Sequence, residues 1–263
     1  MSATAPAVWV LLRGLSRESG HWGVFPGVLL QHLQARQPGA ELILLDLPGN
    51  GVFHRRPSPP SVPAMVAFAR DQLRAQGLQP PWSLLAMSLG GMVATDWAQR
   101  YPHEVARLVL INTSMRPFSS ATERLRPGPR LQTWRTGALL AWRSGQMDRA
   151  EQLIHQLTCN DTQQRENDVA AWSRIRQSAP VSAANAWRQL WAAAQFSAAA
   201  AAPHCPTLLL SASGDRLVHP RCSQAVASAW QAAHQIHPWA GHDLPHDDAA
   251  WVCQQIAHWL DHR

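Results

Sequence analysis

The chain has 263 residues, 46% of them hydrophobic, a size and content that suit one large α/β domain or a domain with an insertion. No stretch holds eighteen consecutive apolar residues, which argues against a membrane-spanning helix. The formal charge is +6, and all 23 basic residues are arginine.

In chain order, residues 7–12 (AVWVLL) form a short continuous apolar run of the kind that makes a buried parallel strand. A turn, RGLSRESGHW, leads to a helical pattern over 24–36, stopped by Pro38 and Gly39. A second strand over 41–46 ends in the turn LPGNG, and the proline-rich loop 53–63 follows. A helix over 63–76 ends at Gly77. The third strand spans 82–87, its helix 89–101, and a fourth strand 107–113. This βα succession predicts a mostly parallel sheet with helices on both faces.

The alternation then stops. Residues 115–202 hold no strand-like run, only helical stretches near 131–143, 147–158, 163–177 and 181–194. Sheet pattern resumes at 207–213, followed by a helix over 220–233, a short strand over 234–238 and a closing helix over 247–260. The expected organisation is a core of residues 1–114 and 203–263 with a helical cap over 115–202.

The third strand and its helix carry the first chemical signal. In WSLLAMSLGG, Ser88 follows an apolar strand directly and opens a helix, with Ala86, Gly90 and Gly91 around it. A serine exposed on so tight a turn needs small neighbours two before and two after, which is the logic of a nucleophile elbow. Alone, the five residues fit an ordinary strand-to-helix turn about as well. A serine nucleophile also needs a histidine base and an acid to orient it, at the carboxyl ends of later strands and in the order Ser, Asp, His. Asp215 follows the strand at 207–213, and His242 follows the one at 234–238. Asn112-Thr113-Ser114, after the fourth strand, offers no carboxylate. His237 and His246 are rivals to His242, but His237 lies in a strand and His246 begins a helix. His242 and His246 are four residues apart, yet Pro245 intervenes and no third ligand is near, so no metal is expected.

With AMSLGG, GDRLV, AGHDLP, LDLPGNG and the inserted cap, the chain resembles the α/β-hydrolase superfamily. Within it, the chain is most similar to small capped serine carboxylesterases, including pimeloyl-acyl-carrier-protein methyl ester esterases. The resemblance implies a hydrolase fold with no cofactor. It also implies an oxyanion hole made by the backbone N–H groups of Leu89 and Leu15. Arg13-Gly14 stands where the family usually has His-Gly. Arg13 thus inherits the bracing role of that histidine, or the role is lost.

The cap is the basic part. Residues 116–191 contain eleven Arg against six acids, a balance of +5, and the rest of the chain carries +1. Arg126, Arg130, Arg135 and Arg143 are candidates for docking an acidic partner such as acyl-carrier protein, although solvated charge explains them as well. Trp134 and Trp142 are spaced to share one helix face, as are Trp187 and Trp191. Such pairs pack a cap onto its core, and some line an acyl pocket. No nucleic-acid motif is present. The N-terminal run lacks a charged start, and Cys159, Cys205, Cys222 and Cys253 form no C-x-x-C pair, so a cytoplasmic protein with reduced thiols is expected. Three readings follow: an esterase acting through Ser88, a carrier-protein methyl esterase, and an inactive hydrolase-fold binding protein.

Overall fold

The computed structural model describes residues 7–127 and 146–262. Six strands form one parallel sheet in the order β2-β1-β3-β4-β5-β6: β1 (Val8–Leu12), β2 (Glu41–Leu45), β3 (Trp82–Met87), β4 (Val105–Ile111), β5 (Thr207–Ala212) and β6 (Ala233–His237). Every residue of the inner strands β3 and β5 is buried, which is why both read as apolar runs without alternation. The edge strands β2 and β6 are only partly covered and tolerate Glu41 and Gln235.

The two faces bury different residues of the same strands. Trp9, Leu11, Leu85, Met87, Val109 and Ile111 face α1 (Phe25–Gln34) and the C-terminal helix. Val10, Leu12, Leu84, Ala86, Leu108 and Leu110 face α2 (Val62–Ala75) and α3 (Leu89–Arg100). Each fully buried leucine contributes roughly 1.5–3 kcal/mol relative to exposure, so the sheet is the rigid part of the molecule.

Between β4 and β5 stand α4 (Ala121–Arg124), α5 (Met147–Thr158), α6 (Arg165–Ser178) and α7 (Ala183–Gln195), without a strand among the described residues. The expected helix at 131–143 lies outside the described residues. After β5 come α8 (Arg221–Trp230), α9 (Leu244–Asp247) and α10 (Ala249–Asp261). The closing helix expected over 247–260 is α10, with the short α9 before it: Asp248 leaves helical geometry and caps α10 by accepting from the Trp251 N–H at 2.9 Å. No helix among the described residues is long and apolar enough to cross a membrane.

The helices between β4 and β5 are fastened to the rest of the chain by buried polar groups. Gln189, on α7, accepts from the Ser16 N–H at 2.8 Å and donates to Ser58 at 2.9 Å. Glu151, on α5, is fully buried between Arg17 of the core and Arg176 of α6. Burial alone would raise the Glu151 carboxyl, but the two guanidinium groups outweigh it and hold it below its ordinary value. Trp187 and Trp191 do share a face of α7, but that face is turned to solvent, 58% and 60% exposed. The opposite face, with Asn185, Gln189 and Ala192, packs inward, so these tryptophans do not hold the helix in place.

Candidate active site

Ser88 stands between β3 and α3 with φ 55° and ψ −120°, a conformation that costs a non-glycine residue about 1–3 kcal/mol. Its surroundings hold it there. The Ser88 N–H donates to the Ile111 carbonyl at 3.0 Å, and the Ser88 carbonyl accepts from Thr113 Oγ1 at 2.8 Å. Gly90 and Gly91 are required by packing: a Cβ at Gly90 would lie 2.5 Å from the Leu12 carbonyl oxygen, and one at Gly91 would lie 2.7 Å from Thr113. Ala86, buried in β3, fits without strain at its position.

Asp215 and His242 meet as the chain order anticipates. His242 Nδ1 lies 2.7 Å from Asp215 Oδ2, and Asp215 Oδ1 accepts from the N–H groups of Leu217 at 2.7 Å and Val218 at 2.9 Å. Both carboxylate oxygens are therefore engaged, which fixes the face presented to the imidazole. Burial pushes the His242 pKa down, but the Asp215 charge and hydrogen bond, with Asp243 adding to them, leave it above its ordinary value. His237 is occupied elsewhere: its Nε2 lies 3.2 Å from Asp248, and its Nδ1 accepts from the Ala240 N–H at 2.9 Å. It is a brace of the loop, not a free base.

Two structures tie the serine loop to the histidine loop. The first is the end of β4. Asn112, at φ 44°, donates through Nδ2 to the His242 carbonyl at 2.8 Å and the Gly241 carbonyl at 3.1 Å. Its neighbours Ile111 and Thr113 hold Ser88. Sequence reasoning passed over Asn112 because it looked only for a carboxylate there; its signal was a polar residue at a strand end.

The second is Arg13. Its guanidinium makes a two-pronged pair with Asp243, at 2.9 and 2.6 Å, and lies 4.7 Å from the centre of the Trp22 ring. The pair is almost wholly buried. Gly14, next in sequence, lies against Ser88, where an added Cβ would be 3.0 Å from Ser88 Cβ. The loop bearing Leu15 is thereby anchored beside Ser88 and to the residue following His242. Leu89 is the first residue of α3, where backbone N–H groups point outward and the helix dipole favours negative charge. Arg13 therefore does brace this loop, by ion pairing.

Of the cap candidates, Arg126 is described and turns inward: its side chain donates to the Asp215 carbonyl at 2.5 Å. Arg130, Trp134, Arg135, Trp142 and Arg143 lie outside the described residues. Arg116, Arg124 and Arg176 are also committed to partners within the chain, so a tally of cap arginines overstates the charge free to meet another molecule.

A parallel sheet with a strained serine after β3, and a His–Asp pair drawn from the ends of β5 and β6, is the design of one class of protein. The chain belongs to the family described as alpha/beta hydrolase fold, which matches residues 10–249. A relative from Klebsiella pneumoniae, RutD, assigned as a carbamate hydrolase, is 27% identical and aligns over 93% of this chain and 90% of its own length. The pimeloyl-[acyl-carrier protein] methyl ester esterase of Chromobacterium violaceum is 34% identical, over 36% of this chain and 35% of that protein. Among solved structures, a thermophilic esterase from Thermogutta terrifontis superposes with a TM-score of 0.73 at 23% identity, covering 97% and 89% of the two chains. The enol-lactonase from Burkholderia xenovorans superposes with a TM-score of 0.74 at 16% identity, covering 99% and 94%. These last two similarities show the fold.

Proposed function

We propose that this hydrolase cleaves carboxylic esters through an acyl-enzyme formed on Ser88. His242 takes the serine proton as Oγ attacks the substrate carbonyl, and Asp215 holds the imidazole in the tautomer that leaves Nε2 to accept it. The N–H groups of Leu89 and Leu15 receive the developing oxyanion, each a contribution of about 10²–10³ in turnover. His242 then returns the proton to the departing alcohol and activates water to release the acyl group. No cofactor or metal takes part in this scheme.

The observation that carries the reading is the joint placement of Ser88, strained at φ 55°, and the 2.7 Å His242–Asp215 contact, both suspended from the end of β4. Ser88→Ala, which keeps the fold, is expected to lose hydrolysis of p-nitrophenyl butyrate; full activity in the variant refutes the scheme. A wild-type chain that hydrolyses no ester in the same assay refutes it too and leaves the binding-protein reading standing.

Carbamate hydrolysis is a second reading, favoured by the alignment of the RutD relative along nearly the whole chain. The same serine, base and oxyanion donors attack a carbamate carbonyl. The carrier-protein ester reading rests on relatives that align over about two-fifths of the chain or less and on the basic cap, and the inward turn of Arg126 weakens it. A single panel of a butyrate ester, a carbamate and a methyl ester of pimeloyl-acyl-carrier protein orders the three by kcat/KM. Charge reversal at exposed Arg149 is expected to matter only for the last.

A further inference from the structure

The polar cluster beneath the cap, behind the histidine loop, is not used by the proposed chemistry. His155 and Cys159 lie one turn apart at the end of α5, and His246 lies in α9, four residues beyond His242. One ring nitrogen of each imidazole and the Cys159 Sγ fall within 4.8 Å of one another. Asp168 of α6 stands beside them, its Oδ2 at 3.1 Å from His155 Nε2 and 3.0 Å from His246 Nε2.

That carboxylate accepts from the Nε2 of each ring. A neutral histidine donating from Nε2 to Asp168 carries its lone pair on Nδ1. His155 is fully buried, its Nδ1 has no hydrogen-bond partner, and burial favours the neutral ring. A buried lone pair without a donor is costly, and a cation satisfies it. Cys159, 1% exposed, is the sulfur within reach. Two imidazoles and one thiol, with a carboxylate hydrogen-bonded to both rings, are the residue types of a zinc site and its outer support. Tetrahedral zinc places its ligand atoms roughly 3.3–3.6 Å apart, so the widest present spacing needs to contract by up to about 1.5 Å.

We propose that His155, Cys159 and His246 bind one zinc ion, with Asp168 orienting the imidazoles. Binding replaces the Cys159 proton, which leaves to solvent, with a Zn–S bond; both histidines bind neutral, and nothing is oxidised or reduced. The ion joins α5 of the cap to the segment that carries His242. The Asp243 N–H already donates to the Thr158 carbonyl at 2.8 Å, so the site reinforces an existing seam. No third ligand was visible in the sequence because His155 and Cys159 precede His246 by some ninety residues.

The test uses the full chain with its affinity tag removed. After dialysis against a chelator, Zn²⁺ is titrated in competition with a chromophoric chelator, and Co²⁺ is loaded separately. One equivalent bound below about 1 μM is expected, with a thiolate-to-cobalt charge-transfer band. Cys159→Ser is expected to abolish that band and weaken zinc at least 100-fold, and Asp168→Asn to weaken it 10–100-fold. The exposed His258–His262 pair, with ring centres 4.2 Å apart, is the decoy, and His262→Ala is expected to change nothing. No bound equivalent, binding indifferent to Cys159→Ser, or binding lost with His262→Ala overturns the proposal. Circular dichroism on metal-free Cys159→Ser separates loss of the site from loss of the fold. None of these readouts depends on hydrolysis.

Discussion

Replacing Arg13 by Met removes one half of the Arg13–Asp243 pair and leaves the other half buried. Burial would raise the Asp243 carboxyl above its ordinary 3.8, yet the guanidinium charge and its hydrogen bonds bring it down to about 2. At 1.36 kcal/mol for each pH unit, that depression corresponds to about 2–3 kcal/mol. Removing one partner from a buried pair typically costs about 3–5 kcal/mol, so Arg13→Met is expected to lose about 2–5 kcal/mol in urea unfolding at pH 7. The sign of the acid response is fixed as well. A carboxyl held below its unfolded value stabilises above that value, and the contribution is lost as pH falls from about 4 to about 2. In Arg13→Met the burial effect is unopposed, so the acid-induced loss moves to higher pH. The double variant Arg13→Met/Asp243→Leu removes both charges and is expected to regain most of the stability. Turnover stays low in both variants, by on the order of 10², because the loop bearing Leu15 has lost its tie to the histidine loop. An unchanged urea midpoint in Arg13→Met, or a double variant weaker than either single one, refutes this account of the pair.

Because the His242 pKa lies above its ordinary 6.5, the acid limb of kcat/KM is expected to have its midpoint above that value, with activity rising as the base becomes neutral. Asp215→Asn should lower kcat by on the order of 10⁴ and move the limb to lower pH; a limb that stays in place contradicts the assignment of Asp215. Gly90→Ala drives a Cβ into the Leu12 and Arg13 carbonyl oxygens and is expected to destabilise the chain and abolish turnover together. Gly27→Ala, in α1 with open space around it, is expected to gain roughly 0.5–1 kcal/mol in urea unfolding and leave turnover alone.

Much of the architecture was legible because the sheet is doubly covered. Inner strands such as residues 82–87 are apolar on both faces and bounded by breakers, so their limits read directly. The elbow was legible for a steric reason, since Gly90 and Gly91 sit where no side chain fits. Asp215 and His242 followed from the rule that such groups stand at strand ends. What escaped was pairing over distance. The partner of Arg13 lies 230 residues away, and Asn112 acts on carbonyl groups that no side-chain pattern advertises. Helix periodicity put Trp187 and Trp191 on one face but could not say that the face is outward. A charge count could not separate Arg126, bound to the Asp215 carbonyl, from an arginine in solvent.

The central claim is a covalent bond to Ser88, and it is most directly tested by trapping that bond. Brief exposure to a fluorophosphonate, followed by intact-mass measurement and peptide mapping, is expected to add one phosphonyl group, on the peptide containing Ser88. Ser88→Ala should add none. A wild-type chain that stays unmodified, or carries the group on another residue while it hydrolyses ester, contradicts the account.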